Sequence, residues 1–331
     1  MAKIGIIGTG VFGTALALTA VRAQNEVLCW DRKKEITDSI NQFHTNKLSL
    51  PDISLPEQIK ATANLKDIFD FTNVVLLTTT AQATREILQK IKPYLSKDTI
   101  IVFCAKGIEA ASGKLLSEIA EEEIPGTTIA VLSGPGFALD IAQKRFVSVT
   151  IGCQNKDIAK QLTQLLGTPY FRPYMTTDII APQIGGSIKN VIAIASGIVE
   201  GASFGDGARA ALITRGLSEI ARLSKALGGD LQTIMGMCGL GDLVMTASCI
   251  QSRNFSFGKE IGIYGSAEKP LKENTRTVEG IYTTKAVVKR AKDLGIEMPI
   301  CEAVNHILYH GVSLKDGLNE LLSRPYKSEG I

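Results

Sequence analysis

Ile4-Gly-Ile-Ile-Gly8-Thr-Gly10-Val-Phe-Gly13-Thr-Ala15 begins the chain with a short β-branched run, a glycine turn and the start of an apolar helix. In such a segment Gly8 permits the tight turn, and Gly10 lets backbone approach a pyrophosphate. Gly13 allows the helix to pack closely on the strand, and the helix N-terminus turns its positive dipole end to the phosphates. The spacing G-x-G-x-x-G is common; its weight comes from context. Here it follows a strand, opens a helix and is followed by a second strand-like run ending at Trp30-Asp31. The sequence therefore predicts a dinucleotide site, the alternative being glycines that serve a turn alone. Asp31 stands where a carboxylate would hold a ribose 2′-hydroxyl and favour NAD. Arg32, Lys33 and Lys34 follow at once and suit a 2′-phosphate, although Lys33-Lys34 also reads as a solvated helix start. The two cues oppose each other, so the choice between NAD and NADP stays open.

Outward from this segment, β-branched runs recur at Val27–Trp30, Val74–Thr78, Ile100–Phe103, Ile129–Leu132 and Val147–Ile151. Their spacing leaves room for crossover helices, which predicts βαβ units in a doubly wound, mostly parallel sheet. Val74-Val75-Leu76-Leu77 is apolar throughout, as expected of a strand covered on both faces. From about Gly185 the strand signals fade. Leu212, Leu217, Ile220, Leu223 and Leu227 recur at helical spacing, Gly228-Gly229 supplies a stop, and Gly201–Gly207 reads as a glycine-rich loop between helices. The expected organisation is an α/β domain over residues 1–185 and an all-helical domain over 186–331. A length of 331 residues favours two domains, since single cores stop growing at about 250–300 residues.

The bulk numbers exclude several classes. Hydrophobic residues at 45% and charged residues at 21% suit a soluble globular protein, and a net charge of +3 is too small to argue for nucleic acid or an anionic membrane. The six cysteines are scattered without a C-x-x-C pair, and the three histidines offer no zinc spacing, so no metal is expected. His306 and His310 stand four apart, but no acidic residue completes a metalloprotease motif. Several cysteines lie in apolar runs, which fits reduced thiols in the cytoplasm. No signal peptide is visible, and the apolar stretch Ile188–Val199 is too short to span a bilayer.

A dehydrogenase acting on a hydroxyl carbon needs a group that takes and returns the hydroxyl proton. No histidine lies near a strand end or glycine loop, which makes lysine the next candidate, because burial lowers its pKa. Lys189 sits in the apolar helical stretch Gly185-Gly-Ser-Ile-Lys-Asn190-Val-Ile-Ala, where an ammonium is costly unless partnered; it also reads as a lysine snorkelling from a helix end. Lys106 closes the run Thr99-Ile-Ile-Val-Phe-Cys-Ala-Lys106, at the carboxyl end of a predicted strand, where such sheets bind ligands; a surface lysine is the alternative. Ser133-Gly134-Pro135-Gly136-Phe137-Ala138 also follows a strand and can present backbone N–H groups. Asp242 lies among glycines in Cys238-Gly-Leu-Gly-Asp242-Leu, as a shaped carboxylate site or as a helix N-cap. Ser252-Arg253-Asn254 gathers a hydroxyl, a guanidinium and an amide, a set suited to a phosphate or carboxylate.

Together these segments resemble the bacterial glycerol-3-phosphate dehydrogenase family. The matching motifs are the Gly8 fingerprint, Ala105-Lys106-Gly107, Ser133-Gly134-Pro135, Ile188-Lys189-Asn190, Gly239-Leu-Gly-Asp242-Leu, Ser252-Arg253-Asn254 and Val278-Glu279-Gly280, in the family's order. The resemblance implies a Rossmann domain, an all-helical domain, NAD(P)H as cofactor and a small-molecule substrate, dihydroxyacetone phosphate or sn-glycerol 3-phosphate. It further implies that Lys189 is the proton donor and acceptor, with Asp242 and Thr246 supporting it. Lys106 would polarise the reacting oxygen and touch both substrate and cofactor. Ser252, Arg253 and Asn254 match the substrate phosphate pocket, and Gly134 and Gly136 fall at substrate positions. Val11, Phe12, Arg32, Ala138, Arg253, Thr277 and Glu279 fall at cofactor positions. Many relatives carry Ser where this chain has Val11, Ser where it has Gly136 and His where it has Arg32. The family role is supply of glycerol phosphate for phospholipid synthesis, and a helical second domain is compatible with a homodimer. Two rival readings are a hydroxy-acid or sugar-acid dehydrogenase of the same plan and a non-catalytic NAD(P)-binding sensor.

Overall fold

The computed structural model describes residues 1–325. Met1–Ala105 and Leu116–Ile179 form one unit; Lys106–Leu115 joins the chain from Ile180 onward in a second. The first unit runs β1 (Lys3–Ile7), α1 (Val11–Arg22), β2 (Glu26–Trp30), α2 (Lys34–Phe43), β3 (Thr45–Asn46), β4 (Leu50–Ser54), β5 (Ile59–Thr62), α3 (Leu65–Phe71), β6 (Val74–Leu77), α4 (Thr84–Ile91), β7 (Ile100–Phe103), α5 (Leu116–Glu123), β8 (Thr128–Ser133), α6 (Ala138–Ala142), β9 (Val147–Cys153), α7 (Lys156–Leu166) and β10 (Phe171–Thr176).

Eight strands make one sheet in the order β10-β9-β8-β7-β6-β1-β2-β5, with β3 and β4 forming a separate hairpin. Successive side chains of a strand point to opposite faces. On β6 and β7, Val74, Leu76, Ile100 and Val102 enter one core while Val75, Leu77, Ile101 and Phe103 enter another. Both faces are therefore covered, which is why these runs are apolar without alternation. The chain winds outward from β1 to β2 and β5, then returns to place β6 on the other side of β1. That reversal is a topological switch point, and the turn after Gly8 lies at its carboxyl end.

Both strands of the β3–β4 hairpin and three strands of the large sheet departed from the sequence pattern. β5 and β10 carry Lys60, Arg172 and Pro173 among few apolar residues, and both are edge strands, where only part of each face needs burial. β9 pairs antiparallel with β8, against the expectation that every run belongs to a parallel βαβ unit. The connection between them holds only the short helix α6, and an antiparallel neighbour needs no long crossover.

The second unit is helical: α8 (Ile180–Gly201), α9 (Asp206–Ala226), α10 (Leu231–Ile234), α11 (Asp242–Ala247), α12 (Arg253–Tyr264), α13 (Glu268–Glu273), α14 (Glu279–Asp293), α15 (Pro299–Tyr309) and α16 (Leu314–Leu322). A π-helical turn at Met237–Gly241 leads directly into α11. α8 is buried over nearly its whole length and forms the centre of this core. The boundary expected at residue 185 falls inside α8. Gly185 is a contact, not a break: a Cβ there would stand 2.4 Å from the Cys238 carbonyl oxygen. Gly197 likewise lets α12 approach until a Cβ would meet the Phe255 carbonyl oxygen at 2.1 Å. Among the described residues no helix is long and apolar enough to cross a membrane, and no cluster of three potential metal ligands occurs. The sequence after about Gly311 reads as a surface extension, but its described part forms α16, whose Leu314 enters this core with Leu321 packed against it, because these leucines share one face of the helix. Tyr326–Ile331 lies outside the described residues.

Candidate active site

Asp242 is the first residue of α11, and its side chain is fully buried, at 0% exposure. It does not cap its own helix. One carboxylate oxygen accepts a hydrogen bond from Lys189 Nζ, and the other accepts from Lys106 Nζ at 2.8 Å. Lys189 also donates to Thr246 Oγ1 at 2.8 Å, one turn along α11. Four of the expected residues thus converge within the second unit. The convergence follows from packing. The close approach of α8 at Gly185 to Cys238 carries Lys189, one turn later, to the start of α11.

Lys189 is in the middle of α8 and is not at a helix end, so it cannot snorkel; its side chain is 6% exposed. Burial holds its ammonium well below the ordinary lysine value, at about 7, with the Asp242 charge opposing the shift and Lys106 adding to it. The carboxylate therefore keeps an ammonium in an apolar helix core, and burial keeps that ammonium ready to give up a proton. Such poise suits acid–base work near neutrality.

A second group forms around the start of α12. Ser252 caps that helix by accepting from Phe255 N at 3.2 Å, and its buried hydroxyl is engaged there. Asn254 is turned inward: its Nδ2 donates to Asn190 Oδ1 at 3.0 Å, and its Oδ1 accepts from Gly280 N at 2.9 Å. Arg253 stays exposed, with Nη1 donating to the Thr277 carbonyl at 3.4 Å. Its charge also reaches Glu279, whose carboxyl burial pushes up and Arg253 pulls down. Glu279 Oε2 is buried without a partner. Of the three, Arg253 is thus the charged group left facing outward, and Ser252 and Asn254 fix the helix that carries it.

In the first unit the glycine turn has the geometry a dinucleotide needs. Gly8 adopts φ +105°, a region other residues rarely enter, and a Cβ on Gly13 would lie 2.0 Å from the Gly8 carbonyl oxygen. A Cβ on Gly10 would meet nothing within 4 Å. α1 begins there, at Val11 and Phe12, with no side chain capping it and no acidic residue in its first turn. An uncapped helix start beside open space fits a pyrophosphate. Asp31 accepts from the Thr9 hydroxyl and N–H through Oδ2 and from Lys33 N at 3.0 Å through Oδ1, while Arg32 is exposed. Gly134, at φ +152°, lets the turn after β8 lie against β9, where a Cβ would reach Val149 Cα at 2.8 Å. Gly136 packs on the Val147 side chain, and Ala138 opens α6. The sequence pattern gave no signal for Asn46 and Ser49, both of which donate to the Thr9 carbonyl.

Comparison with known proteins matches these features. A family model described as the NAD-dependent glycerol-3-phosphate dehydrogenase N-terminus fits residues 3–159, and its C-terminal counterpart fits residues 178–319. The chain is 43% identical over 327 residues to a Maricaulis maris protein named glycerol-3-phosphate dehydrogenase (NAD(P)+), covering 99% of this chain and 98% of that one. It is 44% identical over 327 residues to the Rhodospirillum rubrum protein of the same name, covering 99% and 94%. The crystal structure of glycerol-3-phosphate dehydrogenase from Coxiella burnetii superposes with a TM-score of 0.91 at 35% identity, over 98% of this chain and 99% of that one.

Proposed function

The chain belongs to the NAD-dependent glycerol-3-phosphate dehydrogenase family, and on that premise we propose that it interconverts dihydroxyacetone phosphate and sn-glycerol 3-phosphate with NAD(P)H. The observation that carries the reading is the buried Lys106–Asp242–Lys189–Thr246 cluster. In the reducing direction a bound nicotinamide would supply the hydride that the C2 carbonyl carbon takes up. Lys189 Nζ gives a proton to the oxygen of that carbonyl as it becomes a hydroxyl, and it recovers one in the reverse direction. Asp242 holds Lys189 through the cycle and keeps its ammonium charged until the proton is needed. Lys106, on the other carboxylate oxygen, adds positive charge that stabilises the developing alkoxide. Arg253 takes the substrate phosphate, fixing orientation with binding energy remote from the reacting carbon.

Gly8, Gly10 and Gly13 with the N–H groups of Val11 and Phe12 would hold the pyrophosphate. We assign NADP(H) as the preferred form. The Asp31 carboxylate is already engaged by Thr9 and Lys33, while the exposed Arg32 guanidinium beside it suits a 2′-phosphate. The same reading has the enzyme act in the cytoplasm as a homodimer that supplies glycerophospholipid synthesis. The test follows NADPH, and separately NADH, by absorbance on adding dihydroxyacetone phosphate, with Lys189→Ala in parallel. Rapid oxidation by the wild type and a loss of about 10²–10⁴ in kcat for the variant support the assignment. No oxidation with either cofactor refutes it, and equal rates for wild type and variant remove Lys189 from the chemistry.

A further inference from the structure

The peptide between Thr9 and Gly10 is gripped from one side. Its carbonyl accepts from Asn46 Nδ2 at 2.7 Å, Ser49 Oγ at 2.9 Å and Thr14 Oγ1 at 3.1 Å. Asn46 is 1% exposed, and its Nδ2 also donates to Thr14 Oγ1 at 2.9 Å. Asn46 Nδ2 thus serves both the Thr9 carbonyl and Thr14 of α1, whose hydroxyl itself donates to that carbonyl. Thr9 is held on its other flank as well, its N–H and hydroxyl going to Asp31.

This grip has a directional consequence. The chain has no cis peptide among its described residues, and in a trans peptide the carbonyl and the following N–H point in opposite directions. Holding the Thr9 carbonyl toward the β3–β4 hairpin therefore turns the Gly10 N–H away from it. Gly10 borders open space, and its N–H then joins those of the uncapped start of α1. Rotation of that one peptide would instead present a carbonyl oxygen to an anion. The donor at position 46 opposes this together with Ser49 and Thr14; a carboxylate of the same size would instead face the Thr9 oxygen with another acceptor.

We infer that Asn46, supported by Ser49, is a positioning residue for cofactor binding, which orients the Thr9–Gly10 peptide so that its N–H faces the pyrophosphate. The inference rests on the dinucleotide reading of the glycine turn, and its test separates the two. Trp30, the one tryptophan of the chain, ends β2 next to Asp31. Its emission, quenched by added NADPH or NADH, gives dissociation constants without substrate or turnover. Asn46→Ala is expected to weaken binding roughly tenfold, two hydrogen bonds being lost. Ser49→Ala removes one and is expected to weaken it about threefold. Asn46→Asp, which keeps volume but reverses the donor, is expected to weaken binding more than Asn46→Ala. In turnover the loss appears in the KM for the cofactor, with kcat at saturation and the KM for dihydroxyacetone phosphate held. If wild type binds neither cofactor, the dinucleotide reading fails. If wild type binds and Asn46→Ala binds equally well, or loses melting temperature alone, the positioning role is refuted. Should Asn46→Ala fail to fold, unchanged binding by Ser49→Ala, whose residue is part-exposed, refutes it equally.

Discussion

Replacing Asp242 by Asn tests the proton-transfer reading most directly, because one atom change removes a charge that pairs with both lysines. The Asp242 side chain is 0% exposed and its partners are 6% and 18% exposed, so little water replaces the lost carboxylate. Breaking a buried pair in this way costs about 3–5 kcal/mol when the surviving charges stay charged. Lys189 escapes much of that cost by releasing its proton. One pKa unit corresponds to about 1.4 kcal/mol, so even a third of the penalty lowers Lys189 by about one unit. In the wild type, ketone reduction needs the Lys189 ammonium. Its kcat/KM is therefore flat at low pH and falls as pH rises through about 7, while alcohol oxidation rises through the same point. In Asp242→Asn the break for reduction moves down by about one unit or more, and the rate at pH 7.5 falls by about 10²–10⁴ once misplacement of Lys189 is included. The assay is the pH profile of kcat/KM in both directions from pH 5.5 to 9. A reduced rate with the break unmoved would refute the account, as would a break that moves upward.

Three further outcomes are expected. Gly10→Ala should fold with an unchanged melting temperature and lose cofactor affinity, whereas Gly13→Ala should fail to fold normally, since its Cβ would stand 2.0 Å from the Gly8 carbonyl oxygen; thermal denaturation with cofactor titration compares them. Arg253→Ala should raise the KM for dihydroxyacetone phosphate by roughly 10–150-fold, the loss of a charge-assisted contact of about 1.5–3 kcal/mol, and leave turnover of unphosphorylated dihydroxyacetone unaltered. Glu219, which accepts from Ile300 N at 2.6 Å and Cys301 N at 3.2 Å, is 1% exposed, and burial pushes its carboxyl up to about 7. The folded chain then keeps a proton that the unfolded chain loses near 4.5, so stability falls as pH rises from there through about 7. Across that window the group contributes about 3 kcal/mol of lost stability, and Glu219→Gln should flatten the dependence of melting temperature on pH.

The glycine turn, the central strands and the helical second half were legible because each depends on neighbours in sequence. Gly8, Gly10 and Gly13 are set by one turn, and the runs at Val74 and Ile100 are apolar because both sheet faces are covered there. Edge strands β5 and β10 escaped the pattern, since their faces are only partly buried and their composition shows it. Lys189, Lys106 and Asp242 were each recognisable as chemically apt, with bland alternatives that sequence did not remove. What removed them was the meeting of side chains 53 and 136 residues apart around one carboxylate. Hydrogen bonds over such separations leave no periodic trace, because they depend on where whole helices pack and not on local propensity. The same reason applies to Asn46 and Asn254. Sequence by itself determined which residues can bind, donate or turn the backbone; tertiary structure alone decided which of them face one another, since burial and proximity arise only when distant segments share a core.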